Sequence, residues 1–412
     1  MKHQLIIPLL ALFLPFWLSA QVYVEGGRTR HRFAQTTLGI DVGYGLAGGH
    51  QNYRLDGTTI SGFNGTSYSE ARLIIGGLHF WGHADFYLAI PVLRDKVSPF
   101  STGAETGANI YPFRIRNNKV VPFAGIAFTE NNYQLGEGPK QRWFSAPVSA
   151  GLSYLCKAGL FDLYTAYDFS KPENYYISSS QAMPMDFPRW RAGLRYKRVF
   201  DTTLSAEKDW KNGITQRMTD TLAVMKRLNG ITVGIGPSSA FFLKHPAAEP
   251  EENTSLGQHR DAPLFADAAI GYYLHQPDLQ LQIAFRTLHS TCEAYGAKHT
   301  LQRTSLAAEG YKFLFDYHGF CFFAGPSFSK EWWISTTQKN GQGQERLQQE
   351  KLQPGIVFGW DIRPNRLQSL YLRTHLRWYP GMKFNSGNGN KIPMDQLEFN
   401  YIQLVVFPGR MF

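Results

Sequence analysis

The sequence predicts an all-β fold: a transmembrane, antiparallel, up-and-down β-barrel of about 16 strands, built from a duplicated eight-strand unit. Three observations predict it. Apolar and polar residues alternate with period two in segment after segment. Long and short connections alternate between those segments. A hairpin in the first half of the chain returns in the second half, 200 residues later.

Composition narrows the class. The 412 residues carry 42 Lys and Arg against 32 Asp and Glu, and 15% are aromatic. Mean hydropathy is only −0.29. A bundle of membrane helices would be far more apolar, because each span needs about 20 consecutive apolar residues. The longest apolar run is at the start. Lys2 and His3 precede an apolar stretch at 5–18, and Ser19-Ala20 follow it, the pattern of a cleaved export signal over 1–20. No Cys follows that stretch, which argues against a lipid anchor. Cys156, Cys292 and Cys321 cannot all pair, and their spacing matches no metal motif.

The first strand is the clearest. Leu38, Ile40, Val42, Tyr44 and Leu46 alternate with Gly39, Asp41, Gly43 and Gly45. In a membrane barrel the apolar set meets lipid and the other set faces the lumen. Further strands are predicted at 72–80 and 84–90, in the hairpin 108–128 with its turn at 116–119, and at 146–155, 161–169 and 190–200. In 161–169, Phe161, Leu163, Thr165, Tyr167 and Phe169 oppose Asp162, Tyr164, Ala166 and Asp168. The connections at 47–69, 93–102, 129–143 and 170–187 are long and polar; those between are short. Eight strands with this rhythm fit a barrel with short turns at one end and long loops at the other. Soluble sandwiches do not usually alternate so regularly.

The second half repeats the pattern. Ala108, Tyr111, Phe113, Phe123, Ala124, Gly125 and Phe128 recur as Ala308, Tyr311, Phe313, Phe323, Ala324, Gly325 and Phe328. Gly39–Gly45 matches 230–236 at five of seven positions. Strands are predicted near 264–274, 279–288, 300–314, 319–331, 352–362, 368–379 and 397–407, with longer connections at 245–262, 289–299, 333–350 and 380–395. The organisation is thus a leader at 1–20, a first unit at 21–200, a connector at 201–229 and a second unit at 230–412. The connector should be a short turn, yet it has 28 residues over 201–228. Trp210, Ile214, Met218, Leu222 and Met225 recur at three or four, a helical stripe. That helix is expected to cover a barrel end with its stripe, rather than to plug a lumen.

On these residues the chain resembles the outer-membrane β-barrel superfamily of Gram-negative bacteria, each half being similar to a small OmpA/OmpW-type unit. The resemblance rests on Gly39–Gly45, Pro122-Phe123-Ala124-Gly125, Gly193-Leu194-Arg195-Tyr196 and the terminal Phe412, which resembles the superfamily's assembly signal. It implies an outer-membrane location, with contacts to lipid, lipopolysaccharide and the barrel-assembly machinery. It implies no activity, because one fold hosts many functions. The doubling leaves two closures open. One barrel of about 16 strands is the expectation, with 190–200 pairing onto 230–235; the alternative is two eight-strand barrels in tandem.

Two groups of residues invite a chemical reading. His79, His83 and Asp85 surround a tight turn, but they lie on strand and turn, so helical zinc spacing does not apply, and catalysis is not expected. No catalytic residue, metal or cofactor is assigned. The second group is the lumen. Arg191, Arg195 and Lys197 share one face, as do Arg373, His375 and Arg377. Lipid cannot hold them cheaply, so they should point inward, with Asp41, Asp85, Glu105, Asp162 and Asp168. Two readings stay open: a pore favouring anions, or an internal ion-pair network. The leading expectation is therefore a porin-like channel or transporter for small, anionic solutes; the alternative is a non-conducting structural, adhesion or envelope-complex barrel. Nucleic acid is excluded as a partner by export, and protein partners are not named by the sequence.

Overall fold

The computed structural model of the protein describes residues 33–46, 50–55, 58–64, 67–95, 98–134, 140–170, 174–176, 182–184, 187–200, 213–242, 264–339, 342–363, 366–385, 391–393 and 395–411. The expected leader, Trp210 and Phe412 lie outside them.

The first unit runs β1 (Gln35–Gly45), β2 (Tyr68–His79), β3 (Ala84–Arg94), β4 (Phe100–Ile110), β5 (Val120–Tyr133), β6, β7 (Gly159–Tyr167) and β8 (Trp190–Phe200). Strand β6 comes in two pieces, Gln141–Ser145 and Val148–Cys156, which both pair with β5. The break is at Pro147, which has no N–H to give a ladder; its carbonyl accepts from Ala127 N at 3.0 Å. Each strand is antiparallel to the next, and β1 pairs with β8 from Thr36↔Phe200 to Gly45↔Arg191. The first unit is closed on itself.

The second unit runs β9 (Gly230–Phe242), β10 (Leu264–Leu274), β11 (Leu279–Ala294), β12 (Ala297–Tyr317), β13 (Phe320–Lys339), β14 (Gln342–Ile362), β15 (Leu370–Tyr379) and β16 (Gln396–Val406). It also closes, with β9 pairing β16 from Val233↔Val406 to Phe242↔Gln396. The hairpins that share sequence, β4–β5 and β12–β13, are the fourth and fifth strands of their barrels.

The sixteen barrel strands are therefore divided between two closures, and the tandem arrangement replaces the expected single one. The 190–200 to 230–235 ladder does not form, because both edges of β8 are taken by β7 and β1. The reason is interior volume. Eight strands enclose a space that side chains can just fill, and Tyr87, Tyr111 and Tyr164 fill it against glycine. A Cβ on Gly193 would stand 2.6 Å from the Tyr164 hydroxyl, so only glycine lets that ring lie across β8.

Two expected loops are also strand. Residues 289–299 and 333–350 continue their hairpins until only 295–296 and 340–341 separate the strands. Their polar Thr, Gln and Glu on both faces hide the period-two signal. Strands β12 to β14 have 21, 20 and 21 residues. A membrane crossing needs about 9–11, so about ten residues per strand, roughly 30 Å of ladder, stand clear of the bilayer.

The barrels lie side by side. At the short-turn end, Trp81 meets His318 at 4.9 Å between ring centroids, Phe80 meets Phe320 at 5.6 Å, and Phe86 meets Trp360 at 6.0 Å. At the long-loop end Phe144 meets Phe241 at 4.4 Å. Leu88 lies in the strand predicted at 84–90, on an apolar face that alternation alone would turn to lipid. It shares the outward face of Phe86 but is buried, and so belongs to the seam. Ile40, Leu163 and Leu194 are exposed on the outer wall.

The connector carries the expected helix, α1 (Ile214–Val224). Its orientation differs from the expectation: Ile214, Met218 and Met225 are exposed, and the buried residue is Thr219.

Candidate functional site

Any solute path would run through the two interiors, which β-strand alternation fills with one face of every strand. Both are layered alike. At the short-turn end of the first barrel, Leu78, Tyr111, Ile115, Val121, Phe123, Leu155, Leu160 and Val199 form an apolar layer. At the opposite end, Tyr68, Phe100, Tyr133, Trp143, Tyr175 and Phe187 form an aromatic layer. Charged side chains occupy the middle.

In that middle, Arg72 binds Asp41 and reaches Glu105 at 2.8 Å. Arg191 binds the same Glu105 at 2.7 Å. Arg195 reaches Asp41 at 3.4 Å, with its guanidinium between the rings of Tyr164 and Tyr87, 4.0 and 4.7 Å from their centroids. Lys197 binds Asp85, and Asp162 at 2.7 Å. Tyr164 donates to Asp41 at 3.0 Å and Tyr87 to Glu105 at 3.0 Å. Asp168 lies further out, accepting from Ser170 N at 2.8 Å. The midsection thus sets four cations (Arg72, Arg191, Arg195, Lys197) against five carboxylates (Asp41, Glu70, Asp85, Glu105, Asp162), all buried or nearly so.

The second barrel repeats this with other residues. Arg373 binds Asp361 through Nε at 2.7 Å. Arg377 binds Glu309 at 2.5 Å and also Asp267. His375 Nε2 stands 3.4 Å from Asp267. Arg286 reaches Glu398 at 3.1 Å, and Arg303 bridges Glu331 and Glu398. Again four arginines face five carboxylates in the middle. Tyr273, Tyr311, Phe313, Phe323, Tyr371 and Phe407 close the short-turn end. Phe265, Leu288, Leu301, Trp333, Tyr379 and Phe384 close the other.

The structure thus brings Arg191, Arg195 and Lys197 together with Asp41, Asp85, Glu105 and Asp162, and separately joins Arg373, His375 and Arg377. An anion-favouring excess of positive charge is not what they build: carboxylates outnumber cations in the first midsection, and in the second they match the arginines once Arg363, 3.9 Å from Asp361, is counted. Sequence reading missed Glu70, Arg72, Asp267, Arg286, Arg303, Glu309, Glu331, Asp361 and Glu398. The signal was present: Glu70 and Arg72 alternate with Ala71 and Leu73, and Arg286 sits opposite Phe285 and Ile283 in period two.

The histidine cluster is dispersed. His79 Nδ1 lies 2.8 Å from Gly77 O, His83 Nδ1 lies 3.2 Å from Tyr111 O, and Asp85 turns inward to Lys197 and Asn109. Backbone carbonyls orient both rings, and neither imidazole shares a hydrogen bond with the carboxylate.

Outside the barrels, the short-turn mouth of the second unit gathers charge in its turns. Arg366 reaches Asp278 at 3.1 Å and Asp316 at 3.3 Å. Burial pushes the Asp278 carboxyl up, but Arg363 and Arg366 outweigh it and hold it below its ordinary value. Burial, then Arg366, pull the His275 imidazole down.

With apolar outer walls, ionic interiors and, among the described residues, strands paired in sequence right round each closure, both units are transmembrane barrels of the outer-membrane kind. No family model matches the chain, and no curated protein matches it in sequence. Among solved structures, it is similar to neisserial surface protein A, at 12% identity over 44% of this chain and 97% of that one, with a TM-score of 0.29. It is similar to Ail, the attachment invasion locus protein of Yersinia pestis, at 10% identity over 43% and 96%, TM-score 0.27. An outer-membrane channel from Pseudomonas putida F1 matches at 9% identity over 90% and 95%, TM-score 0.23.

Proposed function

We propose that the protein is a non-conducting pair of outer-membrane barrels, and that its working surface is the four-stranded sheet that β11 to β14 raise outside the membrane. The observation that carries this is the filling of both interiors. A pore needs a continuous wet path, and each interior is instead blocked by an apolar or aromatic layer at both ends and a paired ionic layer between. Such a core gives rigidity rather than transport. It holds the strands of the second barrel in register so that their extensions stand up as a ladder, from Thr287↔Thr304 through Ala294↔Ala297 in β11–β12 and from Ser335↔Leu347 through Lys339↔Gln342 in β13–β14. Two stretches of edge are bare of neighbours among the described residues. The β10 ladder stops at Arg286, and the β15 ladder starts at Ile356. Paired strands expose a large, ordered, polar face that suits protein or glycan recognition better than a loop would, because less conformational entropy is lost on binding. The barrel reading with transport, favoured by the sequence, would require these layers to part.

The test is electrical first. The purified protein in planar bilayers should leave the baseline current unchanged at either polarity. Steady, voltage-independent steps would overturn the proposal. Whole protein displayed on a non-adherent bacterium should then confer adhesion or cell aggregation. A variant with β11–β12 cut back to the Thr291↔Thr300 pair and β13–β14 to Thr336↔Arg346, which keeps Leu288, Leu301, Arg303 and Trp333 of the barrel interior, should fold and lose it; retention of adhesion by that variant would remove the sheet from the function.

A further inference from the structure

We propose that α1 is an interfacial anchor whose outward stripe seats in the lipid headgroup region of the leaflet at the short-turn end. This goes beyond the reading of the barrels and does not depend on it.

The first observation is an inverted burial. On a helix at 3.6 residues per turn, Ile214, Met218 and Met225 fall on one narrow stripe. They are 63%, 51% and 59% exposed. The side turned inward carries Thr219, which is buried, with Thr215, Leu222 and Ala223 half-buried. A helix that only covered a barrel end would place its large apolar residues inward and its threonines outward. This one turns Ile214, Met218 and Met225 outward and Thr215 and Thr219 inward, with only Leu222 among its large apolar residues half-buried on the inner side, and exposed large apolar residues in a row call for a partner. The wall strands show what a lipid-facing residue looks like in this structure: Leu163 and Leu194 are 62% and 52% exposed. The helix stripe has the same signature.

Position is the second observation. The chain after α1 is tied to the mouth of the second barrel. Leu228 O accepts from Arg410 Nη2 at 2.5 Å, and Asn229 Oδ1 accepts from His275 N at 2.8 Å. Ile231, the first outward apolar residue of β9, is exposed to lipid. It lies six residues after Met225, so Met225 is within about 20 Å of the bilayer edge even for a fully extended chain. The C-terminal end of the helix is therefore held within reach of the leaflet surface.

Charge is the third. Arg217, beside the stripe, and Lys226 and Arg227, at its end, are all exposed. The acidic Asp220 is turned away from the stripe and accepts from Gln216 Nε2 at 2.8 Å. An apolar stripe with a basic border is the pattern of helices that lie in the interface plane of anionic membranes. The alternative of a lumenal plug has no room, since both interiors are occupied by their own side chains.

The test uses the full chain with Cys156, Cys292 and Cys321 replaced by Ala and one cysteine introduced as Met218→Cys, Met225→Cys or Asp220→Cys. Each is labelled with an environment-sensitive fluorophore and reconstituted into vesicles of phosphatidylethanolamine and phosphatidylglycerol, with folding checked by heat-modifiable gel mobility. Labels at 218 and 225 should be blue-shifted and quenched by nitroxide lipids, while the label at 220 should be neither. Replacing Arg217, Lys226 and Arg227 together by Gln should reduce the quenching. A water-like spectrum at 218 and 225 would overturn the proposal. So would shielding that nitroxide lipids do not quench and that grows with protein concentration, which would assign the stripe to a second copy of the chain.

Discussion

The guanidinium of Arg195 lies 4.0 Å over the ring of Tyr164, whose hydroxyl donates to Asp41 at 3.0 Å, the same carboxylate that Arg195 reaches at 3.4 Å. One cation, one ring and one anion close a triangle in the centre of the first barrel. Removing one member of such a buried set is costly because the remaining charges keep their desolvation without their partner. Asp41→Asn should therefore destabilise the first barrel by about 3–5 kcal/mol, since both Arg72 and Arg195 lose a counter-charge. Urea unfolding in lipid vesicles measures it. A loss under about 1 kcal/mol, the worth of a surface pair, would mean that water reaches the triangle and the interior is open.

Closure of the first unit is testable by register. Val42 and Leu194 are direct partners in the β1–β8 ladder, and both face outward. Facing residues on antiparallel strands have Cα atoms about 4.5–5.5 Å apart, within reach of a disulfide. Val42→Cys with Leu194→Cys, in a chain otherwise free of cysteine, should cross-link readily on oxidation. A single barrel would hold those strands apart and give no cross-link.

The outer wall should distinguish lipid from seam. Arg at Ile40, Leu163 or Leu194 should cost about 2–4 kcal/mol near the bilayer midplane and less near its edges. Leu88→Arg should behave differently, because it places the charge between two barrels where snorkelling to water is blocked. The expected signature is a change in the relative placement of the barrels on top of the stability loss. Equal behaviour at all four positions, read by unfolding in vesicles, would move Leu88 back to the lipid face.

These contrasts show where the sequence is legible. Strand existence was readable from β1, β7 and β8, where apolar and polar residues alternate cleanly around Asp41, Asp162 and Arg195. The inward direction of those charges follows from the cost of placing them in lipid. The outer ends of β11 to β14 were not readable, because a strand wet on both faces has no apolar period: Gln348, Gln349, Glu350 and Lys351 look like loop. Closure was not readable either. It depends on whether Tyr87, Tyr111 and Tyr164 fill the space left by Gly193 and its neighbours, a matter of volume that one strand at a time does not disclose. Nor could alternation say that Leu88 faces another protein surface, since lipid and a packed barrel ask for the same residue.

Acid should loosen the short-turn mouth of the second barrel in two steps. His275 is held below its ordinary value of 6.5 by burial and then by Arg366. Asp278 is held below 3.8 because Arg363 and Arg366 outweigh the upward push of burial. Both depressed values mean that the unfolded chain binds a proton before the folded one, so stability rises with pH. The His275 contribution is complete above about pH 6.5 and declines below it; that of Asp278 is complete above about pH 4 and declines further down. Thermal unfolding across that range should show both limbs. His275→Gln should flatten the upper limb and Asp278→Asn the lower. An unchanged profile in either variant would detach that residue from the effect.

The seam carries the last prediction. Phe80, Trp81 and His318 all hold left-handed backbone, at φ 52°, 57° and 52°. Bulky residues seldom adopt it, and such strain persists only where surroundings hold it in place. All three put their rings into the contact between the barrels, with Phe33 and Phe320 beside them. In lipid there is no hydrophobic drive to bring two apolar walls together, so association must come from packing and polar contacts. The turn aromatics supply the first, each ring pair being worth about 0.5–1.5 kcal/mol. Towards the other end the cross-barrel contact is Phe144 on Phe241, and Tyr401 and Ser239, joined by a 2.9 Å hydrogen bond within the second barrel, are buried on the outer wall beside it. The barrels should therefore be a fixed pair, not two beads on a connector. With native cysteines removed, Phe144→Cys and Phe241→Cys should cross-link efficiently in the otherwise unchanged protein, since their rings are 4.4 Å apart. Adding Phe80→Ala, Trp81→Ala and Phe320→Ala at the far end should reduce that cross-link several-fold while each barrel keeps its heat-modifiable mobility. Strong cross-linking that survives the triple change would place the binding energy at the Tyr401 end. Its absence in the parent protein would show that the barrels move independently in the membrane.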